Sequence, residues 1–446
     1  MTTRFDDAWS KALELAYLAA QETHLDVILV RDVLGRISLV VDDSSAEPPA
    51  EYASLSSRLA DATQPFIAPG GITLASTLFA PDQILISRDL VIAREANDVS
   101  GRVSTLERGV IGSEWLHPRP DNESPDINRV TLYGFKGGVG RSSATFMLAQ
   151  HLASYGRCVL VVDLDLESPG VGSLLQSDDD LPDYGLVDYL VESTVGNADG
   201  VDLVTKSQTV RVKGNGEVWV APAGGRPREG YEYLPKLNRI YLDLPASTPG
   251  GSPQNLANRL ESAIDAGEQR VAELSRRPDV TLVDSRAGIH DIAAIAITQL
   301  ADLSFLFATD SPATWNGYRE LFRQWGQVPE RARIIRERLR MVAAMVPRDR
   351  RDAYLEAFRD HAQSCFAETL YDDVPSDGDD GLTDDVARFN FAPEDEDAPH
   401  APLPIFFAPD LVALDAAARR NWHEIDPGAY AAFLDGAMEL IVGDQP

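Results

Sequence analysis

The pattern of apolar and polar positions changes near residue 128 and divides the chain into two parts. In the first part, the spacing predicts an amphipathic helix over 6–20, two strands within 26–41 and a helix over 51–62. Pro69-Gly70-Gly71 is then expected to break the chain, and strands follow near 84–93. In the second part, apolar strands alternate with long helical stretches. This alternation is typical of a parallel sheet that is covered by helices on both faces.

The sequence therefore predicts an α/β fold over 128–446, with a mostly parallel sheet and helices on both faces. A small α+β domain over 1–120 precedes it, and the predicted linker is 121–127, in a polar stretch with three prolines. An insert over 367–399 carries 12 acidic residues and one Arg, which predicts a solvated or disordered segment. The predicted strands of the larger domain are 130–133, 158–164, 217–221, 280–283, 303–307, 341–346 and 404–407. Its predicted helices are 142–154, 255–276, 312–325, 331–338, 350–363 and 427–441.

Composition removes several classes of protein from consideration. The chain has 446 residues, 44% of them hydrophobic, which suffices for two or three domains with buried cores. It has 40 Lys and Arg and 70 Asp and Glu, a formal net charge of -30. This negative charge disfavours binding to nucleic acid or anionic lipid unless basic groups cluster locally. The two cysteines, Cys158 and Cys365, exclude a disulfide framework and a CxxC metal site within one chain. The sequence shows no signal peptide and no apolar run of about 18 residues, so we expect a cytoplasmic protein.

A glycine-rich loop between a predicted strand and a predicted helix is the strongest chemical signal. The strand ends at Tyr133, and Gly156 is well placed to end the helix. In such a loop, the missing Cβ atoms let backbone N–H groups approach phosphate oxygens, and the helix start adds unpaired N–H donors. Ser142 is placed to offer its hydroxyl to a Mg²⁺ ion that bridges two phosphates. The residues predicted to bind a nucleotide here are Lys136, Gly137, Gly138, Val139, Gly140, Arg141, Ser142 and Ser143.

The loop departs from the usual phosphate-loop pattern G-x-x-x-x-G-K-[ST] at two positions. Phe135 stands where the first glycine would be, and Arg141 stands where the lysine would be. Arginine keeps the positive charge, but it is bulkier and forks its donors, so the exchange is not neutral. A second basic residue, Lys136, lies early in the loop and is one of five lysines in the chain.

Carboxylates follow two further predicted strands. Asp163 and Asp165 end the strand after the loop helix, and Asp284 follows the strand over 280–283. Ligands gather at the carboxyl ends of parallel strands, so we expect these side chains near a metal ion and its phosphates. Asp284 has the position of a Walker B acid, which is held near Mg²⁺ and normally contacts it through water.

The segment KGGVGRSS, 136–143, closely resembles the deviant Walker A loop of the MinD/ParA family of P-loop ATPases, in a variant with Arg at the second basic position. The resemblance implies ATP and Mg²⁺ as cofactors and an ATP-dependent homodimer. It also implies that Lys136 reaches across the dimer to the phosphates bound by the other subunit. Asp163 would then contact the Mg²⁺ shell, and Asp165 would polarise the attacking water.

Two further segments carry the resemblance, which covers about 128–441 and leaves 1–120 unmatched. DSRAGI, 284–289, is similar to the DSPAGI switch of MinD-type proteins, which implies that the Gly288 N–H approaches the γ-phosphate. Arg286 replaces Pro there, and it could loosen the switch or add a phosphate or partner contact. MVPRD, 345–349, lies where the family often has an Asn-Arg pair that contacts adenine. Pro347 replaces that Asn, and Arg348 is expected to stack on the base.

Members of this family differ in what they move or sense, and the sequence narrows the choice. The C-terminal tail has no Lys or Arg, which disfavours a membrane tether, and acids interrupt the arginines over 331–351, which disfavours nucleic-acid binding without excluding it. We therefore expect an ATP-hydrolysing dimerisation switch that controls a partner protein, in a bacterial defence or conflict system by resemblance. The alternatives are a nucleotide-binding scaffold with negligible turnover, because Arg141 replaces the lysine, and a ParA-like ATPase that positions DNA or cargo.

Overall fold

The chain forms two compact units, Met1–Ser113 and Glu114–Pro446. The division follows Ser113, so the segment 114–118 packs with the larger unit, where Trp115 joins a hydrophobic core. The predicted linker 121–127 lies outside the described residues. The computed structural model describes residues 3–47, 52–97, 99–109, 112–118, 128–210, 212, 214–244, 254–372, 388–409 and 427–443.

The smaller unit has a five-stranded sheet with helix α1 packed on it. The strand order is β3-β2-β1-β5-β4. Buried alanines at helical spacing, among them Ala8, Ala12 and Ala16, line one face of α1 and let it approach the sheet closely. The strands are β1 Val27–Arg31, β2 Ile37–Val41, β3 Ile67–Leu74, β4 Val91–Arg94 and β5 Val103–Glu107, and the helices are α1 Phe5–Thr23, α2 Tyr52–Thr63 and α3 Asp82–Leu85.

Two expectations for this unit are wrong. Residues 84–87, taken from their apolar run as a strand, begin inside helix α3, where Ile84 and Leu85 pack on the core and Ile86 is 78% exposed. A short apolar run does not distinguish a strand from a buried helical turn. The Gly70-Gly71 pair lies inside β3, with positive φ at both residues and a register shift beside them, instead of breaking the chain.

The larger unit has an eight-stranded sheet in the order β13-β12-β11-β6-β10-β7-β9-β8. Its neighbouring strands are parallel except for β8, which pairs with β9 in the antiparallel direction. The predicted mostly parallel α/β fold is confirmed. The strands are β6 Arg129–Gly134, β7 Cys158–Asp163, β8 Thr205–Lys206, β9 Glu217–Ala221, β10 Val280–Asp284, β11 Leu303–Ala308, β12 Leu339–Val346 and β13 Leu403–Phe406.

Helices cover both faces of this sheet. Alternate residues of a strand point to opposite faces, so in β7 Val159 and Val161 join one core while Leu160 and Val162 join another. Helices α4 and α13 pack on the first face, and α8 packs on the second. The helices are α4 Arg141–Ser154, α5 Val171–Leu175, α6 Leu186–Ser193, α7 Leu234–Leu237, α8 Leu256–Leu274, α9 Asp291–Ile295, α10 Pro312–Gly326, α11 Pro329–Arg336, α12 Arg351–Ala367 and α13 Ala431–Val442. In the described part of the chain, every helix is too short or too polar to cross a membrane.

The strand order brings three chain segments to one edge of the sheet. Strand β10 lies between β6 and β7, and its register sets Asp284 beside Asp163 and Leu132. The glycine-rich loop follows β6, and acidic residues end both β7 and β10. Because all three strands are parallel, these segments leave the sheet at the same edge, as the sequence predicts.

Candidate nucleotide-binding site

The loop between β6 and α4 is an open cradle of backbone. Gly138 and Gly140 have φ of +77° and +80°, a conformation that side chains other than glycine adopt with strain. A Cβ atom added at Gly137, Gly138 or Gly140 would meet no atom within 4 Å in the described structure. Val139 differs, because its side chain is buried in the core and leaves only its backbone to face a ligand. With the start of the 14-residue helix α4 beside it, the loop has the form that phosphate binding requires.

Arg141, the first residue of α4, is turned toward the acids and is nearly buried. Its Nε donates to Asp284 Oδ1 at 2.7 Å, and its Nη2 donates to Asp165 Oδ2 at 3.0 Å. Burial by itself lowers the pKa of Arg141, but the neighbouring Asp284 and Asp165 raise it above its ordinary value. The guanidinium is therefore a fixed positive charge that bridges the ends of β7 and β10. The sequence places Arg141 at the phosphates and gives no sign of this bridge.

Asp163 is fully buried, and its carboxylate is turned into the loop that follows it. Its Oδ2 accepts hydrogen bonds from the Gly170 and Gly172 N–H groups, both at 3.1 Å, and its Oδ1 accepts from the Asp165 N–H at 3.3 Å. Burial first and the adjacent Asp284 second raise the pKa of Asp163. In this structure Asp163 organises the loop 164–172, and its predicted contact with a metal shell stays a prediction.

Asp284 has the features that a hydrated Mg²⁺ ion would use. Its side chain is fully buried, and its Oδ2 has no hydrogen-bond partner among the described residues. Ser142 lies at the same edge of the sheet. Its hydroxyl oxygen is close to Gly170, in the loop after β7, where an added Cβ atom would be 3.5 Å from that oxygen. Within the described residues, no group of three or more His, Cys, Asp or Glu could hold a metal ion. Asp284 and Ser142 together fit Mg²⁺, which is usually bound through one or two carboxylates, water and substrate phosphates.

Asp165 is the partly exposed acid of the pair that ends β7. Its side chain is 15% exposed, between the buried Leu164 and Leu166. Burial raises the pKa of Asp165, and the contact with Arg141 opposes that rise. A carboxylate whose pKa lies above its ordinary value is a better proton acceptor.

Gly288 is hydrogen-bonded to strand β6 through both its N–H and its carbonyl group. Its N–H donates to the Gly134 carbonyl at 3.3 Å, and its carbonyl accepts from the Tyr133 hydroxyl at 3.2 Å. A φ of +81° explains why glycine stands here. The predicted γ-phosphate donor thus lies beside the cradle, but its N–H is directed at a backbone carbonyl.

The segment after Asp284 also contacts the segment after Asp165. Arg286 forms an ion pair with Glu167, and His290 Nε2 lies 3.6 Å from the other Glu167 oxygen. The sequence leaves the role of Arg286 open, and the structure assigns it this intramolecular contact. Glu167 and His290 are missed by the sequence argument, although the spacing D-x-D-x-E over 163–167 is a signal that points to Glu167.

Of the three remaining predicted ligands, Ser143 is half-buried in α4, and Lys136 and Arg348 are exposed. Lys136 Nζ lies 5.6 Å from the centre of the Phe135 ring, and its side chain faces solvent. Phe135 fills the space over Gly317, where an added Cβ atom would come within 2.1 Å of its ring. Arg348 follows strand β12 at the same carboxyl edge of the sheet as the cradle, and it is exposed.

The arginines over 331–351 do not share one exposed surface. Arg336 is buried, where it donates to Asp372 Oδ1 and to the Leu370 carbonyl, each at 2.7 Å. Arg340 is half-buried, and burial lowers its pKa. Arg351 is exposed but pairs with Asp352. Arg336 therefore cannot contribute to a basic surface of the kind that nonspecific DNA binding uses, whereas Arg333, Arg348, Arg350 and Arg351 are exposed.

Residues 130–300 match the family profile of the CobQ/CobB/MinD/ParA nucleotide binding domain. Similar solved structures include MinD from Aquifex aeolicus, at 16% identity over 72% of this chain and 99% of that chain, with a TM-score of 0.39. The ParA of pNOB8 is similar at 13% identity over 72% of this chain and 100% of that chain, with a TM-score of 0.42. An ATP complex of Cyanothece McdA is similar at 14% identity over 72% and 99%, with a TM-score of 0.39. No curated protein matches the sequence.

Proposed function

Because residues 130–300 belong to the CobQ/CobB/MinD/ParA family of nucleotide-binding domains, we propose that this protein binds ATP with Mg²⁺ at the loop 136–143 and hydrolyses it. The open glycine cradle beside the buried Asp284 carries the proposal, because its form suits phosphates and the unpaired Asp284 Oδ2 suits a hydrated Mg²⁺.

Each residue of the site has a proposed task. Backbone N–H groups of 137–140, with Ser143 at the start of α4, bind the phosphates, and Ser142 and Asp284 hold the metal. Mg²⁺ supplies charge neutralisation on the phosphate oxygens when it is bound. Asp165 accepts a proton from the attacking water. Arg348, exposed beyond β12, is proposed to stack on the base.

We further propose that ATP binding joins two copies of the chain. Lys136 is exposed beside the cradle, so it is available to the phosphates held by a second subunit. A cation supplied by another subunit raises phosphoryl-transfer rates by about 10³–10⁵. Gly288 then acts as the sensor, which requires that its N–H leave the Gly134 carbonyl. The dimer is proposed to control a partner protein, and only the sequence resemblance supports a defence role for that partnership.

A second candidate, a nucleotide-binding scaffold with negligible turnover, is favoured by one observation. Arg141 bridges Asp165 and Asp284, so its charge is held by the acids that hydrolysis would use. A lysine has a single ammonium and could not bond both acids with a planar fork. If this bridge persists with bound ATP, Asp165 Oδ2 stays bonded to Arg141, which leaves Oδ1 to contact a water molecule and makes Asp165 a weaker proton acceptor.

Phosphate release by the purified full-length chain distinguishes the two candidates. The switch predicts release that depends on ATP and Mg²⁺, and an Asp165→Ala variant that binds ATP, releases no phosphate and accumulates as a dimer in light scattering. Asp435→Ala, on an exposed position of α13, is the control and should behave as wild type. ATP binding without release by wild type would instead support the scaffold, and release by Asp165→Ala would remove Asp165 from its proposed role.

A further inference from the structure

Glu167 and Arg286 join the two loops that leave neighbouring strands at the candidate site. Glu167 lies two residues after Asp165, and Arg286 lies two residues after Asp284. Their side chains form an ion pair and are 22% and 31% exposed. The second Glu167 oxygen lies 3.6 Å from His290 Nε2, so both carboxylate oxygens face side chains of the opposite loop.

Other contacts hold the starts of these loops and separate points along them. The Leu164 N–H donates to the Asp284 carbonyl at 3.0 Å, and the Asp165 N–H donates to Asp163 Oδ1 at 3.3 Å. Asp163 binds the backbone at Gly170 and Gly172, toward the far end of the first loop. The Tyr233 hydroxyl donates to the Leu166 carbonyl at 2.6 Å, from the segment after β9. The Gly288 peptide is bonded to β6. Asp165 Oδ2 accepts a hydrogen bond from Arg141 Nη2 at 3.0 Å, and Arg141 in turn contacts Asp284 at the end of β10.

We propose that the pair Glu167–Arg286 positions Asp165, by clamping the loop 164–170 to the loop 285–290. The proposal rests on the function proposed above, in which Asp165 receives a proton from water. A misplacement of about 1 Å at a reacting group can reduce a rate by about 10²-fold. Neither member of the pair belongs to the phosphate cradle, so loss of the clamp should affect turnover and leave ATP affinity nearly unchanged.

The alternative is that Arg286 acts by itself, through direct contact with a phosphate. Under that alternative Glu167 matters little, and moving the positive charge to position 167 cannot replace Arg286. Under the clamp, either member is needed, and exchanging the two charges restores the ion pair. The two explanations therefore give opposite results for Glu167→Gln and for the exchanged pair.

The test uses the full-length chain with four variants: Arg286→Ala, Glu167→Gln, the exchange Arg286→Glu with Glu167→Arg, and Arg319→Ala. Arg319 is a matched control, because its side chain is 27% exposed and forms a 2.7 Å ion pair with Glu368 away from these loops. Steady-state phosphate release gives kcat and KM, calorimetry gives ATP affinity, and amide hydrogen exchange reports on peptides that cover 164–170.

The clamp predicts that Arg286→Ala and Glu167→Gln each lower kcat by about 10- to 100-fold, with KM and ATP affinity changed by less than about twofold. Both variants should exchange faster over 164–170, the exchanged pair should recover much of kcat, and the Arg319 control should match wild type. Unchanged kcat in Glu167→Gln beside a low kcat in Arg286→Ala would overturn the clamp. If wild type binds ATP without releasing phosphate, hydrolysis is refuted separately, and unchanged exchange over 164–170 in Glu167→Gln would still refute the clamp.

Discussion

Arg141 and Asp284 form a buried ion pair, with Arg141 Nε 2.7 Å from Asp284 Oδ1 and side-chain exposures of 8% and 0%. The pair joins the first residue of the phosphate-loop helix to the last residue of strand β10. It leaves Asp284 Oδ2 unpaired and lets Arg141 also contact Asp165. Arg141, which replaces the usual phosphate-loop lysine, thus also forms ion pairs with Asp165 and Asp284.

Removing the Arg141 guanidinium should lower the free energy of unfolding, whether or not the protein hydrolyses ATP. In Arg141→Ala, Asp284 keeps a buried charge without its cation, and breaking a buried pair in this way costs about 3–5 kcal/mol. Urea unfolding of the full chain measures this loss. Arg323→Ala is the control, because its ion pair with Glu320 is exposed and should contribute less than about 1 kcal/mol. Equal midpoints for the two variants would show that the Arg141–Asp284 pair is not structural.

Lys136→Ala tests the role of an exposed lysine in the loop. Since the side chain faces solvent, the unfolding midpoint should not change, but phosphate release should fall by about 10³-fold or more if the lysine acts on transferred phosphate. Light scattering with ATP should also show less dimer. Lys11→Ala, an exposed lysine of helix α1, is the control. Wild-type release and dimer content in Lys136→Ala would contradict the proposal.

Trp115→Ala tests how firmly the segment before β6 is anchored in the larger unit. The indole is 3% exposed, and its ring centre lies 6.0 Å from those of Tyr133 and Trp325. The lost packing and the cavity should lower the free energy of unfolding by about 3–5 kcal/mol. Phe79→Ala, at a fully exposed ring, should change it by less than about 0.5 kcal/mol. A Trp115→Ala midpoint equal to that of Phe79→Ala would contradict the anchoring.

The lowered pKa of Glu217 predicts that the stability of the protein depends on pH. Burial raises its pKa, but hydrogen bonds from Lys206 and Trp219 outweigh this and lower the pKa from 4.5 to about 2. A carboxylate with a lowered folded-state pKa stabilises the protein above 4.5, and this stabilisation is lost as the pH falls toward 2. Glu217→Gln should therefore be less stable at pH 7 by about 1 kcal/mol, since Lys206 is half exposed and solvent screens the pair. The two unfolding midpoints should converge as the pH falls below 4.5, and a constant difference would contradict the assignment.

The sequence predicted those features of the site that depend on local patterns. The strand, glycine loop and helix over 130–154 are contiguous, and the parallel-strand rule brings Asp165 and Asp284 to the same edge of the sheet. The contact between Glu167 and Arg286 could not be predicted this way, because it joins side chains distant in sequence whose directions depend on the path of two loops. The same holds for Asp163, whose carboxylate binds loop N–H groups that only the folded path of 164–172 presents to it.

Secondary structure was hardest to predict where apolar runs are short. Four apolar residues are too few to distinguish the two-residue period of a strand from the 3.6-residue period of a helix. The sequence therefore predicts a strand near 84–87, where the structure has the end of α3. Strand β8 and helices α5 and α7 have five residues or fewer, and they were not predicted at all. Long periodic elements such as α8 were predicted to within two residues at each end.

Calorimetric titration of the full-length chain with ATP tests the central claim most directly, because it asks only whether the cradle binds nucleotide. The claim predicts saturable binding of one ATP per chain, tighter with Mg²⁺ than with the metal chelated, and weakened by Ser142→Ala. Control titrations of Ser10→Ala, at an exposed position of helix α1, should reproduce the wild-type curve. A wild-type chain that stays folded and gives no saturable heat with ATP and Mg²⁺ would contradict the account.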